Sequence, residues 1–405
     1  MPLGRLVLMG ELPVGALAKR QVQRLMLILV AAILSANWTV TSPAPASAQD
    51  LPQDAVVSEL HALDAAQDIA IEAKPSDDLN IYAMPIPIVD PTIGNGLALA
   101  SLMTFRPDPT DRLSPRATLG FAAGYTDSNS MAAGSSLSMS LDRDRYRIDA
   151  LGGYGSLNVK FYGIGEGGAL QDNPLNFRLK GAFFSGSLTR RIAPHFYLGP
   201  TYKFLNSTSG FNPEAPPAGV TLPELQASLS GMGLTGEYDS RDSQFSPRKG
   251  IYATAQLIDF AQALGSDFSF LSFDGSASRY LTLSPKLVLA SSLRIASAGG
   301  GAPFFALPFV SLRGFPGGKY LGENVWQGQA ELRWNVYGPV GLVGFVGAGQ
   351  AADSIGGFGQ AKLLYAGGVG IRYMASEAER LNLGFDYAVG SDGGSAFYFR
   401  IGEAF

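Results

Sequence analysis

Cysteine is absent from the 405 residues, and histidine occurs only at His61 and His195. Such a chain offers no disulfide framework, no thiol nucleophile and no Cys/His metal site. Charge is sparse and slightly acidic, with a net value of −4, which argues against nucleic acid as a partner. Long apolar runs are missing beyond residue 48, although 46% of residues are hydrophobic. The apolar residues must therefore be dispersed.

The one concentrated run stands at the start. Arg5, Lys19, Arg20 and Arg24 form a basic region, Leu25–Ala36 is an apolar core, and Ala46-Ser47-Ala48 supplies a small-x-small pattern. A spanning helix needs about 20 apolar residues. Residues 1–48 accordingly read as a cleaved signal peptide rather than an uncleaved anchor. Cleavage removes four basic residues and Glu11, taking the net charge from −4 to −7. Residues 49–90 read as an acidic periplasmic leader. Val56, Leu60 and Leu63 share one side of a short helix there, and a Pro-rich stretch, MPIPIVDP, follows.

What is present is glycine, 50 residues of it, and alternation. In LNLGFDYAV, Leu381, Leu383, Phe385, Tyr387 and Val389 oppose Asn382, Gly384 and Asp386. In VWQGQAELRWNV, Trp326, Ala330, Leu332, Trp334 and Val336 oppose Gln327, Gln329, Glu331, Arg333 and Asn335. In KLLYAGGVGIRY, Leu363, Tyr365, Val369 and Ile371 oppose Lys362 and Arg372. Period two is a strand signal. A soluble sandwich also alternates, but here the polar face is rich in Gly, Ser, Asn and paired charges, which suits a wet lumen. Aromatics recur at strand ends, as in girdles at two membrane interfaces. In lipid only a closed barrel satisfies every strand's backbone.

The predicted fold is an all-β, transmembrane antiparallel β-barrel over residues 91–405. Sixteen strands fall near 95–106, 115–126, 130–142, 144–153, 156–165, 176–192, 195–205 and 226–239, then 249–262, 267–282, 285–298, 324–337, 339–351, 360–374, 379–390 and 395–405. Pro/Gly turns such as SPRKG and APH separate them. Longer connections at 206–225 and 299–323 face outward from the cell.

Three motifs have ordinary explanations. GIGEGG at 163–168 matches a dinucleotide fingerprint, but no helix follows to receive a pyrophosphate. A Ser-His-Asp site needs a histidine, and His195 sits in a turn while His61 sits in the leader. Asp239, Arg241 and Asp242 in YDSRD read as a charged turn at the barrel rim rather than a cation site. No enzyme, cofactor or metal is expected.

Five stretches carry a resemblance. They are YDSRDSQFSPRKGIY (238–252), FYGIG (161–165), SLRGF (311–315) followed by AELRW (330–334), GGVGIRY (367–373), and LNLGFDYA (381–388) with the terminal FYFRIGEAF. Together they resemble the bacterial surface antigen family, the barrel half of BamA/TamA-type outer-membrane assembly factors and their two-partner secretion relatives. The first stretch supplies the strand–turn motif Asp239, Arg241, Asp242, Pro247 and Gly250. The resemblance implies a bacterial outer-membrane barrel whose first and last strands meet at a weak seam, with Gly94, Gly96 and Gly402 weakening the pairing. It implies outer-membrane lipid as surroundings and client polypeptides as partners. Residues 49–90 are too short for the POTRA domains that assembly factors usually carry, so delivery falls to a separate periplasmic partner or to the leader itself. Phe397, Phe399, Ile401 and Phe405 resemble a C-terminal insertion signal on the lipid face, with Glu403 interrupting it near the periplasmic interface.

The resemblance also implies that loop 299–323 folds back into the lumen, carrying Arg313, Gly314 and Phe315 to the inner wall. The family's usual partner for the arginine is an aspartate in Phe-x-Asp-x-Gly. Here that strand reads FVGAG, with Gly347 in the aspartate position. Period two leaves Glu331 and Asp386 as replacement carboxylates. The expected function is assistance to polypeptide insertion or translocation through the seam. A passive pore, a structural surface antigen and lipid translocation are the alternatives.

Overall fold

The computed structural model describes residues 79–90, 92–163, 170, 173–211, 225–243, 246–377 and 380–405. Residues 1–78, with the signal sequence and the helix expected near Leu60 and Leu63, lie outside them, as does most of GIGEGG. One antiparallel sheet of sixteen strands, ordered as in the chain, forms the structure.

The first eight strands are β1 (Leu79–Asp90), β2 (Gly94–Phe105), β3 (Ala117–Thr126), β4 (Met131–Leu141), β5 (Tyr146–Phe161), β6 (Leu175–Ala193), β7 (Phe196–Phe211) and β8 (Leu225–Asp239). The rest are β9 (Gly250–Phe260), β10 (Phe270–Ser284), β11 (Leu287–Ala298), β12 (Asn324–Tyr337), β13 (Val340–Ala352), β14 (Leu364–Ser376), β15 (Leu381–Gly390) and β16 (Ser395–Ile401).

Alternation builds the wall. Leu97, Leu99, Tyr365, Val369, Ile371 and Phe385 are exposed on its outer face, while Ala98, Ala100 and Asp386 are buried on the inner one. An outer face this apolar is what a lipid-facing wall requires. At one end the hairpins are tight: Pro194-His195, Pro285-Lys286 and Gly338-Pro339 are two-residue connections. His195 and Gly338 take positive φ there, 63° and 51°. Connections at the other end are mostly long, and 299–323 is the longest.

The strand count agrees with the sequence reading, but two assignments differ and offset each other. Residues 144–165 are not two strands. β5 runs unbroken through Gly152, Gly153 and Gly155, which pair with β6 on one side and β4 on the other. The glycines are there for room, since a Cβ on Gly153 would sit 2.8 Å from the Phe183 ring. The missing strand is β1, inside the stretch read as leader. Pro85 and Pro87 obscured it, because proline lacks the N–H a central strand needs. β1 is instead a terminal strand. Its ladder with β2 is continuous through both prolines, which leaves their nitrogens on the opposite, free edge.

The lumen is drier than a wet channel. Ile86, Leu157, Leu179, Leu229 and Ile258 of the inner wall form one buried apolar cluster with Phe305, Leu307 and Phe309 of loop 299–323. Phe304 adds edge contacts to Phe161 and Phe177, with centroids 4.9 and 5.1 Å away. The loop thus stoppers the lumen toward its long-loop end. β1 and β16 are the two ends of the sheet, and no ladder joins them among the described residues. The outward-facing Phe399 nevertheless packs against the same cluster that contains Ile86 and Ile88.

Candidate functional site

Beneath the apolar stopper the loop makes a narrow hairpin. Phe309 and Leu321 form a bridge, and the Val310 N–H donates to the Tyr320 carbonyl at 3.1 Å. Gly314 and Gly318 take φ of 105° and 71° at the tip, a region that L side chains resist. Gly314 also needs its size: a Cβ there would lie 2.9 Å from the β15 backbone at Val389 and Gly390. Its N–H donates to the Tyr398 hydroxyl. Phe315 is buried and meets Tyr320 edge-on at 5.6 Å.

This geometry drives Arg313 into the inner wall, where only 2% of it stays exposed. Its Nη2 donates to Glu331 Oε2 and its Nη1 to Asp386 Oδ2, both at 2.8 Å. The guanidinium carbon lies 3.4 Å from the centroid of the Phe345 ring, a cation–π contact. Both carboxylates have further partners. Arg333 Nε donates to Glu331 Oε1 at 2.7 Å, Arg372 Nη1 donates to Asp386 Oδ1, and Arg400 Nε lies 3.0 Å from Asp386 Oδ2. Arg372 Nε reaches on to Glu403 Oε2 at 2.9 Å. Such a layer resists loss of any member, because an unpaired buried charge costs about 3–5 kcal/mol.

Two inner-wall glycines make the recess. A Cβ on Gly370 would fall 2.0 Å from Asp386 Oδ1, and one on Gly384 would fall 2.9 Å from Arg372 Nη1. Gly347, in the position where the family's aspartate was expected, has a comparable role. A Cβ there would meet Leu312 Cδ2 at 2.9 Å, so the residue beside Arg313 occupies that space.

The Omp85 superfamily domain matches residues 112–405. The chain belongs to the Omp85 superfamily. It is accordingly an outer-membrane β-barrel, in a family of protein insertion and translocation barrels. No curated protein sequence matches it significantly. Among solved structures it is similar to BamA from Haemophilus ducreyi lacking POTRA domains 1-3, at 14% identity and a TM-score of 0.54, over 95% of this chain and 77% of that one. It is also similar to CdiB from Acinetobacter baumannii at 12% identity and 0.52, over 93% of this chain and 66% of the other. For CdiB from Escherichia coli the values are 12%, 0.53, 92% and 68%. At such identities the likeness concerns the fold.

Elsewhere in this Omp85 barrel the strand–turn motif is a brace. Arg241 donates from Nε and Nη2 to the two oxygens of Asp239, each at 2.8 Å, and lies 3.8 Å from the Tyr252 ring centroid. Asp242 accepts from the N–H groups of Arg248 and Lys249 and pairs with Arg380 at 2.9 Å. Burial pushes the Asp242 carboxyl up, but these donors hold it below its ordinary value. Pro247 is buried. Gly250 has φ of 106°, and a Cβ there would sit 2.3 Å from the Ser240 carbonyl oxygen. His195 is an exposed turn residue whose Nδ1 lies 3.1 Å from the Asp239 carbonyl oxygen.

Two sequence expectations need correction. Gly94 and Gly96 do not border the seam: they belong to β2, which is paired on both sides, and Gly96 faces Ile88 of β1 and Thr126 of β3. Nor does the C-terminal segment stay on the lipid face. Phe397 and Phe399 do face out, and Phe397 stacks on Phe385 at 5.4 Å. β16 then ends at Ile401, and Gly402 (φ 83°) turns the chain inward. Glu403 is buried, and Arg333 Nη2 donates to the main-chain oxygen of Phe405 at 2.9 Å. Gly402 is a corner rather than a gap in the ladder.

The sequence reading missed Arg333, Arg372, Arg400, Glu403 and Tyr398 as members of this layer. Their signal was cross-strand: Gly370, Asp386 and Tyr398 are directly opposed on β14, β15 and β16.

Proposed function

We propose that this barrel assists insertion or passage of polypeptide at the outer membrane through the junction of β1 and β16. The observation that carries this reading is the pair of sheet ends that no ladder joins among the described residues, with Pro85 and Pro87 on the free edge of β1. A proline contributes a carbonyl to that edge but no N–H. Closure there forgoes two hydrogen bonds, each worth about 0.5–1.5 kcal/mol net, so this junction is the easiest place to part the wall. An exposed edge in turn is a template for an incoming strand. The loop supports the reading from inside. A stoppered lumen and an arginine-pinned hairpin stiffen β12 to β16 while leaving their outer edge free, and they speak against a passive pore.

The test is a lock. Cysteines placed on β1 between residues 83 and 87 and on β16 between residues 397 and 401 are oxidised in the intact barrel, reconstituted in liposomes. Acceleration of the folding of an added outer-membrane client should be lost on oxidation and return on reduction. Undiminished acceleration by the locked protein would remove the junction from the mechanism.

A further inference from the structure

Below the arginine layer, at the tight-turn end, lies a cavity of about 340 Å³. Its walls carry four cations, Arg248, Arg333, Arg372 and Arg380, against Glu377 and Glu403, with Asp242 outside the cavity paired to Arg380. The layer above, which shares Arg333, Arg372 and Glu403 with it, has one cation in excess: Arg313, Arg333, Arg372 and Arg400 face Glu331, Asp386 and Glu403. One donor shows where an anion is missing. Nη1 of Arg333 is buried without a hydrogen-bond partner among the described residues, although Nε and Nη2 of the same side chain are engaged. A buried donor left unmatched carries the penalty of its lost hydration, more so when the group is charged.

The neighbouring tail shows what this wall accepts. Past Gly402 the chain runs in as a short peptide whose Glu403 carboxylate sits on Arg372 and whose Phe405 main-chain oxygen sits on Arg333. The wall therefore already recognises an acidic segment through one side-chain carboxylate and one main-chain oxygen. Volume fits a second such group, since about 300 Å³ is the lower range of ligand pockets. Val343 and Val288 of the inner wall supply apolar sides for the stem of a glutamate.

We propose that this cavity is a binding site for a carboxylate side chain of an acidic polypeptide segment, with Arg333 Nη1 as its central donor and Arg248 and Arg380 at its mouth. A guanidinium fork suits a planar carboxylate, and lysine cannot reproduce it. The buried members of its lining, Arg333, Arg372, Asn382 and Glu403, face inward from the wall, the side on which the chain's own tail lies, which favours a peptide over a membrane lipid. The site does not depend on the junction of β1 and β16, because it is read by equilibrium binding alone.

The experiment is calorimetric titration of the full chain in neutral detergent with acetyl-Gly-Glu-Ala-Phe-amide, with the Gln counterpart of that peptide, and with inorganic phosphate. The acidic peptide should bind at one site per chain and weaken at least tenfold on Glu to Gln exchange. It should also weaken as salt is raised to 0.5 M, roughly halving the Debye length. Arg333→Gln should lower affinity at least tenfold, and Arg333→Lys should recover only part of it. Arg248→Gln, outside the buried layer, should lower it about threefold with heat-resistant gel mobility unchanged, which keeps the test valid if the Arg333 variants fold poorly. Equal binding of the neutral peptide, binding of phosphate alone, or indifference to both arginines would overturn the proposal.

Discussion

Leu312 occupies the space that a side chain at position 347 would need, its Cδ2 lying 2.9 Å from where a Cβ of Gly347 would stand. The absent aspartate and the seated loop are two sides of one arrangement. Gly347→Asp should therefore push Leu312 outward rather than give Arg313 a third carboxylate. Limited proteolysis in the loop should accelerate, and heat-resistant gel mobility should fall. A Gly347→Asp protein as resistant as the wild type would contradict this packing.

Arg313→Ala would leave Glu331 and Asp386 short of a buried partner, at a cost of about 3–5 kcal/mol. The hairpin should lift, exposing Lys319 to trypsin and raising conductance in planar bilayers. Arg313→Lys should behave nearly as badly, because one ammonium cannot span two carboxylates held 2.8 Å from separate guanidinium nitrogens.

Restoring the donors on the free edge should tighten the barrel. Pro85→Ala with Pro87→Ala permits two further hydrogen bonds to β16, together worth about 1–3 kcal/mol. Amide exchange in β1 and β16 should slow, and client folding assistance should drop several-fold. Faster exchange in the double variant would show that the prolines do not face the junction.

Lys319 Nζ lies 2.7 Å from Asp392 Oδ2, and the Tyr320 hydroxyl donates to the same oxygen. Burial is the largest single influence and raises the Asp392 carboxyl, but the Lys319 ammonium, the Gly394 N–H and the Tyr320 hydroxyl together outweigh it, and the net shift is downward. A depressed carboxyl stabilises the folded state above its ordinary value of about 3.9, and that contribution is lost as pH falls through the folded value. Tryptophan fluorescence or an acid-stable protease should report loosening of the loop only in that acidic range. Asp392→Asn should loosen it at neutral pH and flatten the response.

Much of this was readable one strand at a time. Period two alone placed Glu331 and Asp386 on the inner face, and the SLRGF stretch placed an arginine in the loop that reaches them. Properties that belong to neighbouring strands were not readable in that way. Proline looks like a break unless the strand is known to be terminal, which is why β1 passed for a leader. The glycines of β5 look like a break unless the Phe183 ring across the ladder is known. Extending alternation past Ile401 put Glu403 in lipid, whereas the positive φ of Gly402 carries it to Arg372. The charge of Glu403 was itself the warning, since a carboxylate facing hydrocarbon has no partner and one turned inward meets Arg372 and Asn382.

The arginine layer also orders events in time. Arg313 precedes its partner Asp386 by 73 residues, and Arg372 precedes Glu403 by 31. Until β15 and the final corner are in place the loop has nowhere to anchor. Stoppering the lumen and finishing the wall are consequently one late step, and long-range closures of this kind are slow. Until then the half-built cylinder carries a bare guanidinium on a loose hairpin, a marker of incompleteness that vanishes when the last strand arrives.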